Sequence, residues 1–462
     1  MAFSGLAAPS EAEQVIGTDE LFFSTTDRHG LIRSGNSVFV RISGFSVEEL
    51  VGAPHNIVRH PDMPAGVFRL VWDRLLSGRP AGAYVQNLAK DGSRYWVFAT
   101  MTPSEDGFLS VRMAPRADLL GAVKQVYRQV AAAEAEAAER DGLNRREVAQ
   151  VGMERLEHAL RELGFGSHDE FLTEALTTEV AARGRLASAT YARPWAQGPI
   201  AEVLAGAGAL ETLLADTVRR LEGYRAFSDR LARSSAQVLG VARRLDRMVA
   251  AAQTASTLAA GTAPVLHNVS RVMATSARTA VTALELLVPG LAALRSDLAD
   301  LRFRIALSAL HNDMVAAFAA EVVDDVAPPA SLQEVPLLCD AVQESVAEMA
   351  ATAQRVNRAL HEIVAGLAEA GERLEEFRRL LGQWRILVMR HGAEDALGDL
   401  VDSIDDEFAA SWDGMHMLRA LSREFESSAV PLGVEAPAAQ IGRIRAAATA
   451  SRDAATAAQD AS

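Results

Sequence analysis

The chain has 462 residues, of which 49% are hydrophobic and 23% charged, a composition typical of a folded protein with about two or three domains. Its formal charge of −14 disfavours binding to nucleic acid or to an anionic membrane surface. The single cysteine, Cys339, excludes an intrachain disulfide framework. The longest uncharged run, residues 248–270, is too polar to span a membrane, and no basic leader precedes an apolar stretch at the start. We therefore expect a cytoplasmic protein without a membrane span.

The N-terminal quarter of the chain has the residue alternation and turns of a small sheet. The predicted strands are 21–26, 31–34, 83–89, 94–101 and 108–113. Lys90–Ser93 contains an Asp-Gly pair, which is typical of a tight hairpin turn. Short helical segments lie between residues 36 and 77. Residues 17–118 are thus predicted to form an α+β domain with its helices on one side of the sheet.

From residue 118 onward, strand signals vanish and Ala, Leu, Glu and Arg predominate. The sequence predicts three connector helices: the first ends near Asp141, the second ends near Leu163, and a capping box at Ser167 begins the third. Two heptad runs follow, and Pro328-Pro329 between them must break the helix. The first run is Phe227, Leu231, Ser234, Val238, Val241, Leu245, Met248 and Ala252, and the second is Val342, Val346, Met349, Ala353, Val356, Leu360, Ile363, Leu367, Ala370, Leu374, Phe377 and Leu381.

These patterns predict an all-α long helical bundle or antiparallel coiled coil after the α+β domain. The expected organisation is an arm at 1–16, the α+β domain at 17–118, a helical connector at 119–205, a long helical hairpin or bundle at 206–426 and an Ala-rich flexible tail at 427–462. Because two hairpins together bury apolar stripes that one leaves exposed, we expect a homodimer.

The loop Pro54–Pro64 combines two His, an Arg and an Asp with three prolines. Proline fixes φ, so polar side chains in this loop are held in place at little entropic cost. Arg59 is suited to bidentate binding of a phosphate or carboxylate, and Asp62 to orienting His60. The residues alone leave two readings open, a ligand-binding loop and a rigid polar loop satisfied by its own hydrogen bonds.

Several segments together resemble the PAS domain of the bacterial aerotaxis receptor family. They are Ser24–Asp27, Asn36–Phe39, Ile42–Ser46, Glu49–Leu50, Gly52, Pro54–Pro64, Gly78–Pro80 and Lys90–Trp96. The resemblance implies a PAS sensor domain with a non-covalently bound FAD whose redox state reports electron transport or oxygen. It also implies that Arg59, His60 and Asp62 match positions associated with flavin binding, and that Asn36 and Asn87 match polar positions facing or near the pocket.

One position departs from the family pattern. Ala81 stands where the family has Trp after its Gly-x-Pro segment, and a large ring there adds area that packs on an isoalloxazine face. Two hypotheses follow, a flavin-dependent sensor and a non-catalytic dimerisation or interaction scaffold with an empty PAS pocket. Haem ligation by His60 is a weaker alternative. Trp72 and Trp96 are predicted to be core residues.

The helical remainder has no motif that predicts catalysis. Leu301–Met314 faintly resembles the hairpin tip of chemoreceptor signalling domains, which would imply a chemotaxis coupling protein or kinase as partner. Its alternative reading is a bundle seam that contains His311 and Asn312. The pair His361-Glu362 is not followed by a Gly-rich nucleotide-binding segment, which disfavours a histidine kinase. We therefore expect a signalling protein that is not an enzyme.

Overall fold

The computed structural model describes residues 9–186, 190–258, 264–393 and 435–460, together with scattered positions between 402 and 423. The chain divides into two compact units. One comprises Met1–Val218, Arg302–Met349 and Gly433–Ser462, and the other Arg219–Leu301 and Ala350–Leu432.

The N-terminal domain contains one antiparallel sheet of five strands, as predicted. The strands are β1 (Leu21–Asp27), β2 (Ile32–Gly35), β3 (Ala81–Leu88), β4 (Arg94–Ser104) and β5 (Gly107–Met113), in the order β2-β1-β5-β4-β3. The β1–β2 turn is held by the Asp27 carboxylate, whose Oδ1 accepts from the backbone N–H groups of His29 and Leu31. Gly92 adopts a φ of 84° in the β3–β4 hairpin, which explains the Asp-Gly pair there.

Short helices cover one face of this sheet. They are α1 (Ser37–Ser43), α2 (Val47–Leu50), a 3₁₀ turn (His55–Val58) and α3 (Ala65–Leu76). Asn36 begins α1, because its Oδ1 accepts from the N–H of Phe39. Ser46 and Glu49 form a reciprocal capping box that begins α2.

The connector folds into three helices that pack around this domain. They are α4 (Leu119–Arg140), α5 (Arg145–Glu162) and α6 (His168–Leu186), and they confirm the predicted connector helices up to residue 186. Tyr84 of β3 donates to Glu179 of α6 at 2.8 Å, and its carbonyl oxygen accepts from the Tyr127 phenol of α4 at 3.0 Å. Nearly all residues of β3 and β5 and those in the middle of β4 are buried, so this part of the sheet is covered on both faces within its own unit.

Long helices make up the rest of the described chain. They are α7 (Pro199–Leu258), α8 (Pro264–Glu285), α9 (Leu287–Val323), α10 (Val335–Arg390) and α11 (Glu435–Asp460). A 3₁₀ turn (Pro329–Glu334) separates α9 from α10, so the predicted break at Pro328-Pro329 is confirmed. Within the second unit, Asp297 pairs with Arg355 and Asp300 with Thr352, which shows that α9 and α10 are antiparallel there.

The heptad positions are buried where their side chains are described. All twelve positions of the second run are buried. In the first run Met248 is half-buried, the side chains of Phe227 and Val241 lie outside the described residues, and the remaining five are buried. The predicted heptad positions therefore lie on the buried faces of the long helices.

The C-terminal end of the helical region differs from the prediction. The sequence predicts a flexible tail over 427–462, whereas the structure has helix α11, in which Ile441 and Ile444 are buried. Their i, i+3 spacing places both on one face, which gives this Ala-rich segment a packing surface.

Among the described residues, Pro264–Val323 is long and apolar enough to cross a membrane by length and composition. Core helices of water-soluble proteins pass the same criterion, so this is weak evidence for a span.

Candidate functional site

A cavity of about 440 Å³ lies between the sheet and α3 in the N-terminal domain. One wall is aromatic and aliphatic, with Phe68, Val71 and Trp72 of α3. The sheet supplies the opposite wall through alternate residues of three strands. These are Ala83, Val85, Asn87, Val97, Ala99, Met101, Phe108, Ser110 and Arg112.

Arg59 lies in the cavity wall, at the point where the proline-rich loop meets β3. Its backbone pairs with that of Asn87, which also lines the cavity. The Arg59 guanidinium donates to the carbonyl oxygen of Met63 at 2.6 Å and lies 4.1 Å from the ring centroid of Phe68. Burial lowers the pKa of Arg59, and the charge of Glu134 opposes that shift. The loop thus holds this cation against an aromatic wall.

Among the three remaining predicted site residues, none lines the cavity. His60 is buried, and its Nδ1 accepts from the backbone N–H of Asp62 at 3.2 Å, while the Asp62 side chain is 83% exposed. Asn36 is buried as the N-cap of α1, where it also bonds Phe23 and Leu21 of β1. Its Oδ1 accepts from the Phe23 N–H at 2.9 Å, and its Nδ2 donates to the Leu21 carbonyl at 2.8 Å. These contacts shape the loop and α1, and roles of His60, Asp62 and Asn36 in cofactor binding stay predictions.

Trp72 was predicted to be a core residue, but it lines the cavity. Its indole packs edge-on against Phe108, with 5.4 Å between ring centroids. Ala81 is fully buried at the start of β3 and is not part of the cavity lining. The cavity therefore has large flat rings although residue 81 is small.

Sequence analysis missed Arg112 and His55, which both line the cavity. Arg112 is 4% exposed, and its Nη2 contacts Ser24 Oγ at 2.6 Å and His55 Nε2 at 2.5 Å. Burial, with the nearby charge of Arg112, lowers the pKa of His55 well below its usual value. An arginine inside a predicted buried strand, on the same face as Phe108 and Ser110, was the available signal.

Two carboxylates connect this domain to the connector helices. Glu134 of α4 accepts from the backbone N–H groups of Ala65 and Gly66, at the N-terminus of α3. Glu179 of α6 accepts from the N–H groups of Arg116 and Ala117, just before α4 begins. The helix that forms a cavity wall is thus hydrogen-bonded directly to the connector.

Residues 33–110 match the family model for the PAS fold, and the N-terminal region of the chain contains a PAS domain. The chain is 37% identical over 118 residues to the aerotaxis receptor of Escherichia coli strain K12. That match covers 24% of this chain and 23% of the receptor, so it extends over about a quarter of the length of each protein.

Solved structures with a similar fold include a light-oxygen-voltage domain studied with a flavin analogue, which is 20% identical. It covers 23% of this chain and 87% of its own, with a TM-score of 0.22. A blue-light activated histidine kinase, EL346 of Erythrobacter litoralis, is 13% identical and covers 36% and 58% of the two chains, with a TM-score of 0.20. Similarity this low gives no information about ligands or activity.

The cavity fits the ring system of a flavin. Its volume of about 440 Å³ lies in the usual range of ligand pockets, roughly 300–1,000 Å³. Phe68 and Trp72 offer flat apolar surfaces to a planar guest, while Asn87 and Arg112 offer polar groups on the facing sheet. Among the described residues, no cluster of three or more His, Cys, Asp or Glu side chains is suited to holding a metal ion.

Proposed function

We propose that this chain is a redox or oxygen sensor that binds FAD in its PAS cavity and passes the signal to its helical remainder. The observation that supports the proposal most strongly is the cavity itself, which combines aromatic walls with buried polar side chains. The resemblance of the Pro54–Pro64 loop to that of aerotaxis receptors supports a flavin as the guest.

Different residues of the cavity wall contact different parts of the flavin in this proposal. Phe68 and Trp72 stack or pack on the ring system and exclude water from it. Asn87 orients the ring edge through hydrogen bonds, and Arg59 supplies a cation at the loop. When bound, FAD supplies the reversible electron transfer by which redox conditions alter the charge of the cavity.

The output is proposed to be conformational and non-enzymatic. A change of charge or packing at the cavity shifts α3, and the Glu134 carboxylate transmits that shift to α4. Glu179 links the segment just before α4 to α6. The helices then alter their affinity for a signalling partner, with a chemotaxis coupling protein or kinase as the leading candidates. We propose that the protein acts as a cytoplasmic homodimer.

Absorption spectroscopy of the purified full chain tests this function. We expect flavin bands in the wild-type protein and at least a tenfold loss of retained FAD in Arg59→Ala. Arg33→Ala is the matched control, because Arg33 is exposed on β2 and does not line the cavity. A colourless wild-type protein that also fails to take up added FAD would contradict the proposal and favour the interaction scaffold, for which the small residue Ala81 is the supporting observation.

A further inference from the structure

Arg112 is a buried cation that faces neutral partners only. It belongs to β5, and its side chain lies on the cavity face of the sheet. Its Nη2 contacts Ser24 Oγ and His55 Nε2, and the Phe39 ring lies 5.1 Å from its guanidinium carbon. Within the part of the chain that the structure describes, no carboxylate pairs with Arg112, and its Nε and Nη1 atoms form no hydrogen bond.

The electrostatic state of this cluster follows from burial. Desolvation lowers the pKa of Arg112 to about 10, so the guanidinium is still charged at neutral pH. His55 is neutral there, because burial and the Arg112 charge both lower its pKa. The Nε2 lone pair of His55 therefore accepts from Arg112 and adds no counter-charge. A net positive charge remains at the inner wall of the cavity, and a buried charge without a partner is costly.

The geometry of the free donors indicates what would offset that cost. Of the five guanidinium N–H groups, those on Nε and Nη1 remain available, and each can donate a charge-assisted hydrogen bond to an acceptor atom of a guest. Phe68 and Trp72 stand on the facing wall and accept a flat apolar body. The complementary guest is a planar ring with an anionic or electron-rich edge.

We propose that Arg112 is the anion-recognition residue of the PAS cavity and binds the electron-rich or anionic acceptor edge of the ligand. This inference rests on the proposed function, since it names the residue that selects the flavin. It goes beyond the Arg59, His60 and Asp62 loop, because it places the selecting charge on the sheet. By attracting negative charge, Arg112 favours the more anionic form of the ligand over the neutral form.

Equilibrium titration of ligand-stripped full-length protein with FAD tests the inference. Arg112→Met should weaken FAD binding about tenfold to a hundredfold, as expected for loss of a charge-assisted hydrogen bond. Arg112→Lys keeps the charge and should lose less than tenfold. Lumiflavin, which lacks phosphate, distinguishes the ring edge from the pyrophosphate: a matching loss of lumiflavin affinity supports the inference. A loss with FAD alone would assign the contact to the pyrophosphate and overturn it.

The unfolding temperature of the ligand-free protein distinguishes ligand recognition from a structural role. Ser24 and His55 also contact each other, at 3.4 Å, so they keep a partner in Arg112→Met. Because an uncompensated buried charge is removed, that variant should unfold at an unchanged or higher temperature. Wild-type FAD affinity in Arg112→Met, or unfolding about 4 °C lower without ligand, would overturn the inference while leaving the proposed function intact. Absence of FAD binding to wild type would overturn the proposed function, and the unfolding temperature would still decide the role of Arg112.

Discussion

The Oε1 atom of Glu134 accepts a hydrogen bond of 2.7 Å from the backbone N–H of Gly66. This contact joins the connector helix α4 to the first turn of α3, whose Phe68 and Trp72 form the aromatic wall of the cavity. A carboxylate at a helix N-terminus satisfies free N–H groups and opposes the positive end of the helix dipole. Movement of α3 therefore changes a buried hydrogen bond in the connector.

Removal of the Glu134 carboxylate should destabilise the PAS domain and weaken its coupling to α4. Glu134→Ala leaves the N–H groups of Ala65 and Gly66 without their acceptor, at a cost of about 1–2 kcal/mol in the free energy of unfolding. Glu134→Gln keeps one acceptor oxygen and should cost less. Chemical denaturation checks the order wild type, Gln, Ala, and equal stability of the three proteins would contradict the capping role.

The close packing of α3 on α5 should not tolerate a side chain at Gly66. A methyl group there would lie 2.4 Å from backbone atoms of Gly152 and Met153, which cannot rotate away. We expect Gly66→Ala to lower the free energy of unfolding by about 1–3 kcal/mol. Gly208→Ala is the control, since that helical glycine has open space around it and should gain stability of up to about 1 kcal/mol. Thermal unfolding measures the stability of both variants. If Gly66→Ala is as stable as wild type, α3 and α5 can move apart to accommodate the methyl group, which would contradict close packing at this position.

The buried hydrogen bond from Tyr84 to Glu179 should stabilise the folded protein. Glu179 is fully buried. Tyr84→Phe removes one hydrogen-bond donor to the Glu179 carboxylate, while the N–H groups of Arg116 and Ala117 still donate to it. The expected cost is about 1–2 kcal/mol in the free energy of unfolding. Urea denaturation of the variant checks it. A neutral substitution would show that the two backbone donors satisfy this carboxylate by themselves.

His311 should make the protein less stable in acid. The residue is fully buried in α9, both ring nitrogens lack a hydrogen-bond partner among the described residues, and burial lowers its pKa to about 3. Below its ordinary value of 6.5 the unfolded chain binds a proton that the folded chain does not. Stability therefore falls as the pH drops from about 6.5 to 3, by up to ~1.4 kcal/mol per pH unit.

Replacement of His311 by an apolar residue tests that assignment. His311→Leu should raise stability at pH 7, because it removes two buried polar atoms without partners. It should also reduce the loss of stability between pH 7 and pH 5 by about 2 kcal/mol. Unfolding midpoints at the two pH values measure this difference. An unchanged pH dependence in the variant would show that His311 becomes protonated in the folded protein.

The architecture was predictable where local signals determine it. The Asp-Gly turn at Gly92 acts within a few residues, so the β3–β4 hairpin was recognised from sequence. Heptad spacing likewise identified the buried positions of α10. The segment that forms helix α11 was predicted to be a flexible tail. Its many alanines obscure the periodicity of the apolar face that includes Ile441 and Ile444.

The site was less predictable, because strand pairing and helix packing create it. Arg59 and Asn87 are 28 positions apart in sequence and meet only through a backbone pair between the loop and β3. Arg112 reaches His55 across 57 positions, and no local motif predicts that contact. Trp72 lines the cavity through the orientation of α3, which helical periodicity alone does not specify.

Titration of ligand-stripped protein with FAD, followed by flavin fluorescence, tests the central claim most directly when wild type is compared with Ala99→Phe. Ala99 lies in the cavity wall opposite α3, so a phenyl ring there fills the space without removing a polar group. We predict saturable binding of one FAD per chain in wild type and at least a hundredfold weaker binding in Ala99→Phe. Equal affinity of the two proteins would place the flavin elsewhere, and no binding by wild type would contradict a flavin sensor.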